Sequence, residues 1–206
     1  MDPATAFQIN PLAVLKTPRE PKAHSLEAYL RREETATERH EYFDGIIKKV
    51  PMARGKHNEI TANTVAAIKN AVKNLDKKFR VFSGQQKIYL PKLNFGLYPD
   101  ALVICESPIY WDKNEVLLTN PVAIVEVLSR STRSYDRVEK FAEYKTLPSF
   151  KEYILIEQDI PEIETRFREE PDLWRVTTFS KLGGEVFLKS LGCSVSMADI
   201  YENIVF

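Results

Sequence analysis

Two acids occupy positions where an acid is costly. In "YPDALVIC", Asp100 stands behind a proline at the mouth of an apolar run, and in "PVAIVEVLS", Glu126 sits inside one. Period-two alternation places Asp100, Leu102 and Ile104 on one face of an extended strand, and Val122, Ile124, Glu126 and Leu128 on one face of another. A strand apolar on both faces is a central strand, so Glu126 is expected to be buried. A buried carboxylate must be neutralised by a proton, a basic partner or a metal ion. Asp100 taken alone fits ordinary turn chemistry, because Pro-Asp commonly starts a strand. If the two strands are neighbours, however, both acids meet at one sheet edge. A hard divalent cation such as Mg²⁺ would then relieve their repulsion, since Mg²⁺ takes few protein carboxylates and keeps waters.

The segment after the second strand supplies the opposite charge. In "SYDRVEKFAEYKTL", Asp136, Lys140 and Tyr144 recur every four residues and line one helical face. Lys140 could reach back over the end of the Glu126 strand. The same spacing is met by a solvent-exposed Asp136–Lys140 pair worth only ~0.3–0.5 kcal/mol.

Other elements must position these groups. "SLEAYLRREE" opens on a capping serine, Ser25, and reads as a short helix. "HEYFDGIIKKVP" places Asp-Gly between aromatic and β-branched runs, a hairpin signal. "HNEITANTVAAIKNAVKNL" is a long amphipathic helix, with its lysines mostly opposite the apolar stripe. "FRVFS" and "QKIYLP" are strand-like pieces split by Ser-Gly. "KEYILIE" follows the Lys140 helix, and "EIETRFR", "LWRVTTF" and "EVFLKSL" read as an antiparallel meander. The expectation is a mixed α/β (α+β) domain over residues 25–206, with helices against a central sheet and hairpin and meander extensions. Residues 1–24, rich in proline, read as an extended arm and lack the basic start and long apolar core of a secretory signal.

Bulk composition narrows the classes. At 206 residues, 44% hydrophobic and 28% charged, the chain can build a full core without disulfide or metal staples. Its longest apolar runs have strand length and fall short of the ~20 residues that span a membrane. Cys105 and Cys193 lack metal-ligand spacing and read as buried thiols in a reducing cytoplasm. There is no internal repeat and no low-complexity tract. The net charge is zero, which argues against a generic nucleic-acid binder, yet Gly45 to Lys92 holds eleven Lys or Arg against Glu59 and Asp76. Glu139 to Asp172 holds ten acids against five basic residues. Such asymmetry can make one face basic under a neutral total, as can a simple solvated helix face carrying Lys69, Lys73, Lys77 and Lys78.

Taken together, "YPD" at 98–100, "PVAIVEVLSRSTRSYDRVEKFAEYKTLPSFKEYILIE" at 121–157, "HEYFDGIIKKVP" and "GKHNEI" closely resemble the Uma-two proteins, a bacterial group of restriction-endonuclease-like proteins in the PD-(D/E)XK nuclease superfamily. The resemblance covers about residues 25–180 and implies an αβββαβ core, which agrees with the element order above. It implies that Asp100 is the PD aspartate and Glu126 the second acid, with Glu41 and His57 at further family positions. The superfamily usually carries a lysine two residues after the second acid. That position is Leu128 here, so Lys140 becomes the replacement, moved to the next helix. Arg130 stands where the family often has proline.

The resemblance implies a Mg²⁺-dependent endonuclease (Mn²⁺ as an alternative ion) acting on DNA. Asp100, Glu126 and the backbone carbonyl of Val127 would hold the metal, Lys140 would serve the chemistry, and Glu41, His57, Asp136 and Tyr144 would support them. The basic residues between Lys48 and Lys92 would touch the nucleic-acid backbone without reading sequence. A homodimer would suit cleavage of both strands. The absent lysine at 128 also fits a second reading, a non-catalytic nucleic-acid-binding or regulatory module. A metal-free acid/base hydrolase fits least, as no carbohydrate groove of aromatics is visible.

Overall fold

A computed structural model describes residues 24–206, so the arm expected over residues 1–24 lies, but for His24, outside the described residues. In chain order the elements are α1 (Leu26–Glu33), β1 (His40–Phe43), β2 (Ile46–Lys49), α2 (Gly55–Val72), β3 (Phe79–Ser83), β4 (Lys87–Leu90), β5 (Phe95–Leu97), β6 (Ala101–Cys105), β7 (Leu117–Leu118) and β8 (Ala123–Leu128). A continuous helical run follows: α3 (Arg133–Tyr135), a π-helical turn over Asp136–Lys140, and α4 (Phe141–Tyr144). The chain ends with β9 (Glu152–Glu157), β10 (Ile163–Glu170), β11 (Leu173–Phe179), β12 (Glu185–Leu188), β13 (Cys193–Ser196) and α5 (Met197–Ile200).

A six-stranded mixed sheet in the order β11-β10-β9-β8-β6-β3 forms the centre. Strands β3, β6 and β8 run antiparallel in turn, and the helical run crosses over so that β9 lies parallel to β8. The sequence α2, β3, β6, β8, helical run, β9 is therefore the expected αβββαβ order, with β4, β5 and β7 branching away from it.

Alternation along the strands divides the core in two. Ala101, Val103, Ala123, Val125 and Val127 face α2, α5 and the β12–β13 ribbon, where Ile60, Ile68, Val72, Met197 and Val195 are buried. Leu102, Ile104, Ile124 and Leu128 face Phe141, Tyr144 and the inner side chains Ile88, Leu90, Leu97 and Leu118 of a second sheet. Each Val, Ile, Leu, Phe or Met side chain so taken from water contributes about 1.5–3 kcal/mol, so the two layers jointly hold β6 and β8 in place.

That second sheet, ordered β2-β1-β5-β4-β7, corrects the reading of the hairpin as an appendage. The Asp44-Gly45 turn forms as expected, both residues having positive φ (47° and 102°), which suits a right-twisted hairpin. Strand β1 then pairs with β5, a three-residue strand too short to show periodicity, and the hairpin becomes part of a layer over the core. The two pieces split by Ser-Gly go to different sheets, β3 to the central one and β4 to the second. The meander also needs correction: β10 and β11 extend the central sheet, whereas β12 leaves it to pair with β13. Cys105 and Cys193 are free thiols, half-buried instead of buried. No described helix is long and apolar enough to cross a membrane.

Candidate active site

The antiparallel register of β6 with β8 pairs Ala101 with Val125, so Asp100 comes one step later, opposite Glu126. The ladder stops there because the aspartate side chain replaces it. Asp100 Oδ2 accepts the Val127 backbone N–H at 2.7 Å, and Oδ1 lies 2.9 Å from His57 Nε2. His57 reaches it from the first turn of α2, so both core layers meet at this carboxylate. Close packing on the other side comes from Gly84, where a Cβ would fall 3.1 Å from the Asp100 carbonyl oxygen.

Glu126 is buried, as its strand pattern demands. Its Oε1 accepts hydrogen bonds from the Lys140 ammonium and the Tyr144 hydroxyl, both at 2.9 Å. Lys140 also lies 3.7 Å from Asp136 and 4.0 Å from Glu41. Glu41 comes from β1 in the second sheet and accepts the Tyr98 N–H at 3.1 Å. Spacing alone allowed an exposed Asp136–Lys140 pair, but both residues are buried. The helical run packs on the face of β8 that carries Glu126, and the four-residue spacing turns Asp136, Lys140 and Tyr144 toward it together.

Burial pushes the Glu126 carboxyl well up, and Asp100 and Asp136 add to the rise against the opposing pull of Lys140. Asp136 is raised chiefly by burial too, with Asp100 and Glu41 adding to it. For Lys140, burial works to lower the ammonium, but Glu126, Glu41 and Asp136 outweigh it and hold the group charged. Burial also keeps the Tyr144 hydroxyl protonated, so it donates to Glu126. Three carboxyl groups, Glu126, Asp136 and Glu41, therefore lie within 4.0 Å of one ammonium, and the cluster is short of positive charge.

The structure thus brings together Asp100, Glu126, Lys140, Glu41, His57, Asp136 and Tyr144, with Val127 contributing its amide to Asp100. No group of three or more His, Cys, Asp or Glu side chains arranged to hold a metal occurs among the described residues. A cation here would rest on the two strand acids and backbone oxygen. Lys87, counted in the basic stretch, is withdrawn from it: the residue is buried, with its ammonium 4.2 Å from the Tyr29 ring centroid and 4.8 Å from that of Tyr98.

Two neighbours of the cluster escaped sequence reasoning, Tyr135 and Glu143, joined by a 3.0 Å hydrogen bond from the tyrosine hydroxyl. Their separation of eight residues puts them on one side of the helical run, as it does Asp136 and Tyr144, but a Tyr–Glu pair at that distance carries no charge-pair signal. Burial pushes the Glu143 carboxyl up to about 7 from an ordinary 4.5, more than Tyr135 and Lys140 pull it down. The folded protein therefore holds this proton more tightly than the unfolded chain does. The group costs nothing below the unfolded value, and stability falls as pH rises between about 4.5 and 7, levelling off above. Glu143→Gln is expected to flatten that decline, recovering about 3 kcal/mol at pH 8 relative to pH 4.5. Urea titrations across this range measure it, and an unchanged pH profile would contradict it.

Comparison with known proteins adds to this geometry. The model of a family described as "Uma2: Putative restriction endonuclease" matches residues 26–198. Two proteins of Synechocystis sp. (strain ATCC 27184 / PCC 6803 / Kazusa) are similar. "Uncharacterized protein sll1609" is 32% identical over 158 residues, covering 77% of this chain and 88% of that protein. "Uncharacterized protein slr1290" is 30% identical over 182 residues, covering 88% and 93%. Among solved structures, "a putative nuclease belonging to DUF820" from Anabaena variabilis ATCC 29413 superposes with a TM-score of 0.68 at 20% identity. The match covers 88% of this chain and 99% of that one, and likeness at this identity is a likeness of fold.

Proposed function

The chain belongs to the Uma2 family, and from that premise we propose that it is a Mg²⁺-dependent endonuclease hydrolysing DNA phosphodiester bonds in a reducing cytoplasm. The observation that carries this reading is the cluster itself: Asp100 beside Glu126 at adjacent strand ends, with the Lys140 ammonium 2.9 Å from Glu126.

The donor set suits a hard cation. Asp100, Glu126 and the carbonyl of Val127 offer oxygen only, Glu126 Oε2 accepts no hydrogen bond from a described residue, and the carboxylates outnumber the one ammonium. Mg²⁺, or Mn²⁺ in its place, would neutralise charge on the phosphate and lower the pKa of a bound water. The chain's own groups do the rest. His57 and the Val127 amide fix both oxygens of Asp100, and Tyr144 fixes the rotamer of Glu126. Lys140 holds its proton and presents a fixed positive charge where negative charge develops on the phosphoryl oxygens, a contribution worth about 10²–10³ in rate when it is preorganised. Lysines exposed along α2 and beyond it, among them Lys69, Lys73 and Lys77, would meet the DNA backbone without sequence readout. A second copy of the chain would serve cleavage of both strands.

Incubating plasmid and linear DNA with the protein in Mg²⁺, Mn²⁺ or EDTA tests the reading. Cleavage is expected with either ion, none with EDTA, and at least a hundredfold loss in Asp100→Asn. Full activity in Asp100→Asn would remove that residue from the reaction. Absence of cleavage in every condition would favour the non-catalytic module, in which Glu126, Lys140 and Tyr144 form only a structural network.

A further inference from the structure

Beside the acid cluster opens a cleft of about 660 Å³ between the β1–β2 hairpin, the end of α1 and the start of α2. Its size falls in the range of small-molecule sites, roughly 300–1,000 Å³. The cleft adjoins Asp100 along two lines of chain. Tyr98 in its wall precedes Asp100 by two residues, and Asn58 follows His57, whose ring touches Asp100.

The lining is specific about what it would accept. Arg39 and Tyr98 form a rigid platform, the guanidinium carbon 5.5 Å from the ring centroid. Arg39 donates to the Gly84 carbonyl at 2.7 Å, and the Tyr98 hydroxyl donates to Glu33 at 3.1 Å, so neither is free to swing away. Around the platform, the side chains of Thr37, Asn58 and Gln85 make no hydrogen bond to any described residue. Glu33 and Glu38 also line the wall, as do Arg39 and Lys49, and Lys49 pairs with Glu38, so the lining carries no net charge. A neutral, planar ring with hydrogen-bonding edges suits such a lining. At the rim stands Met52, 92% exposed, a large apolar side chain held out in solvent beside a polar cleft.

We propose that this cleft takes the base of one unpaired nucleotide adjoining the phosphate at Asp100 and Glu126. The base stacks on the Arg39 guanidinium, which Tyr98 backs from the other side, Thr37, Asn58 and Gln85 meet its edge, and Met52 wedges into the gap left in the strand. Stacking on aromatic and guanidinium faces tolerates any base, and an apolar wedge stabilises an unstacked step. The inference rests on the nuclease reading and narrows it: the preferred substrate is DNA with an unpaired nucleotide, because a paired base would first have to be extracted.

Fluorescence anisotropy with labelled blunt-ended duplex DNA decides it, in Ca²⁺ and in EDTA. Three duplexes are compared: fully paired, with one unpaired thymine, and with an abasic site in place of that thymine. The unpaired thymine is expected to bind about tenfold more tightly than either of the others, the order of one base stack. Met52→Ala and Asn58→Ala, both at exposed positions, are each expected to shrink that preference. Equal binding of the thymine and abasic duplexes would overturn the cleft as a base site while leaving the nuclease reading intact. A preference unchanged in both variants would place the base elsewhere and overturn it equally. Binding to none of the three duplexes would overturn both readings together.

Discussion

Lys140→Ala is expected to lower DNA cleavage by about 10²–10³ and to cost about 3–5 kcal/mol of stability, two losses with separable causes. The stability loss follows from burial. Lys140 is 6% exposed, and its ammonium is the positive charge nearest to Glu126, at 3% exposure, and to Asp136, at 4%. Truncation leaves these carboxylates facing one another out of water, and they must take up protons or draw in solvent. Adding Glu126→Gln to Lys140→Ala removes one of the stranded charges while keeping an acceptor for the Tyr144 hydroxyl. The double variant is therefore expected to regain part of the stability and none of the cleavage. Urea unfolding and plasmid cleavage, run on the same preparations, separate the two effects. Cleavage by Lys140→Ala at the wild-type rate, measured where the variant is still folded, would leave Lys140 a structural cation only.

Legibility in the sequence followed the range of the interaction. Glu126 announced its burial because a six-residue strand apolar on both faces leaves no exposed side for its one acid. Asp136, Lys140 and Tyr144 announced a common face through their spacing, though whether that face met solvent or the sheet depended on the crossover to β9. The contacts of Asp100 were less visible, since the Val127 amide and the His57 ring reach it through strand register and the docking of α2. Tyr135 and Glu143 were hidden because a Tyr–Glu pair eight residues apart, though on one side of a helix, carries no charge-pair signal. The second sheet was hidden by brevity: β5 has three residues and β7 two, and neither can show alternation. Lys87 was misplaced for a different reason. Charge counting treats each lysine as solvated, yet this one caps two tyrosine rings inside the second sheet.

The missing strand lysine can now be given a physical cause. Leu128 shares a face with Glu126 two residues earlier, but its side chain is fully buried in the layer that holds Ile88, Leu90, Phe141 and Tyr144. An ammonium there would lie among apolar groups, while the helix already delivers one to Glu126 Oε1 at 2.9 Å. The nearest register partner, Glu157 on β9, is no help, because Arg133 and Arg137 already occupy its carboxylate at 2.6 and 3.1 Å. Leu128→Lys is therefore expected to destabilise the protein by at least about 3 kcal/mol, lowering the melting temperature by about 10 °C. It is expected to add nothing to cleavage in the wild-type background and to restore none to Lys140→Ala. Calorimetry and the plasmid assay measure these outcomes. Recovery of cleavage by a lysine at 128 would mean that any cation near Glu126 suffices. The expected failure would mean that the cluster depends on an ammonium delivered from the π turn, with Glu41 and Asp136 closing around it.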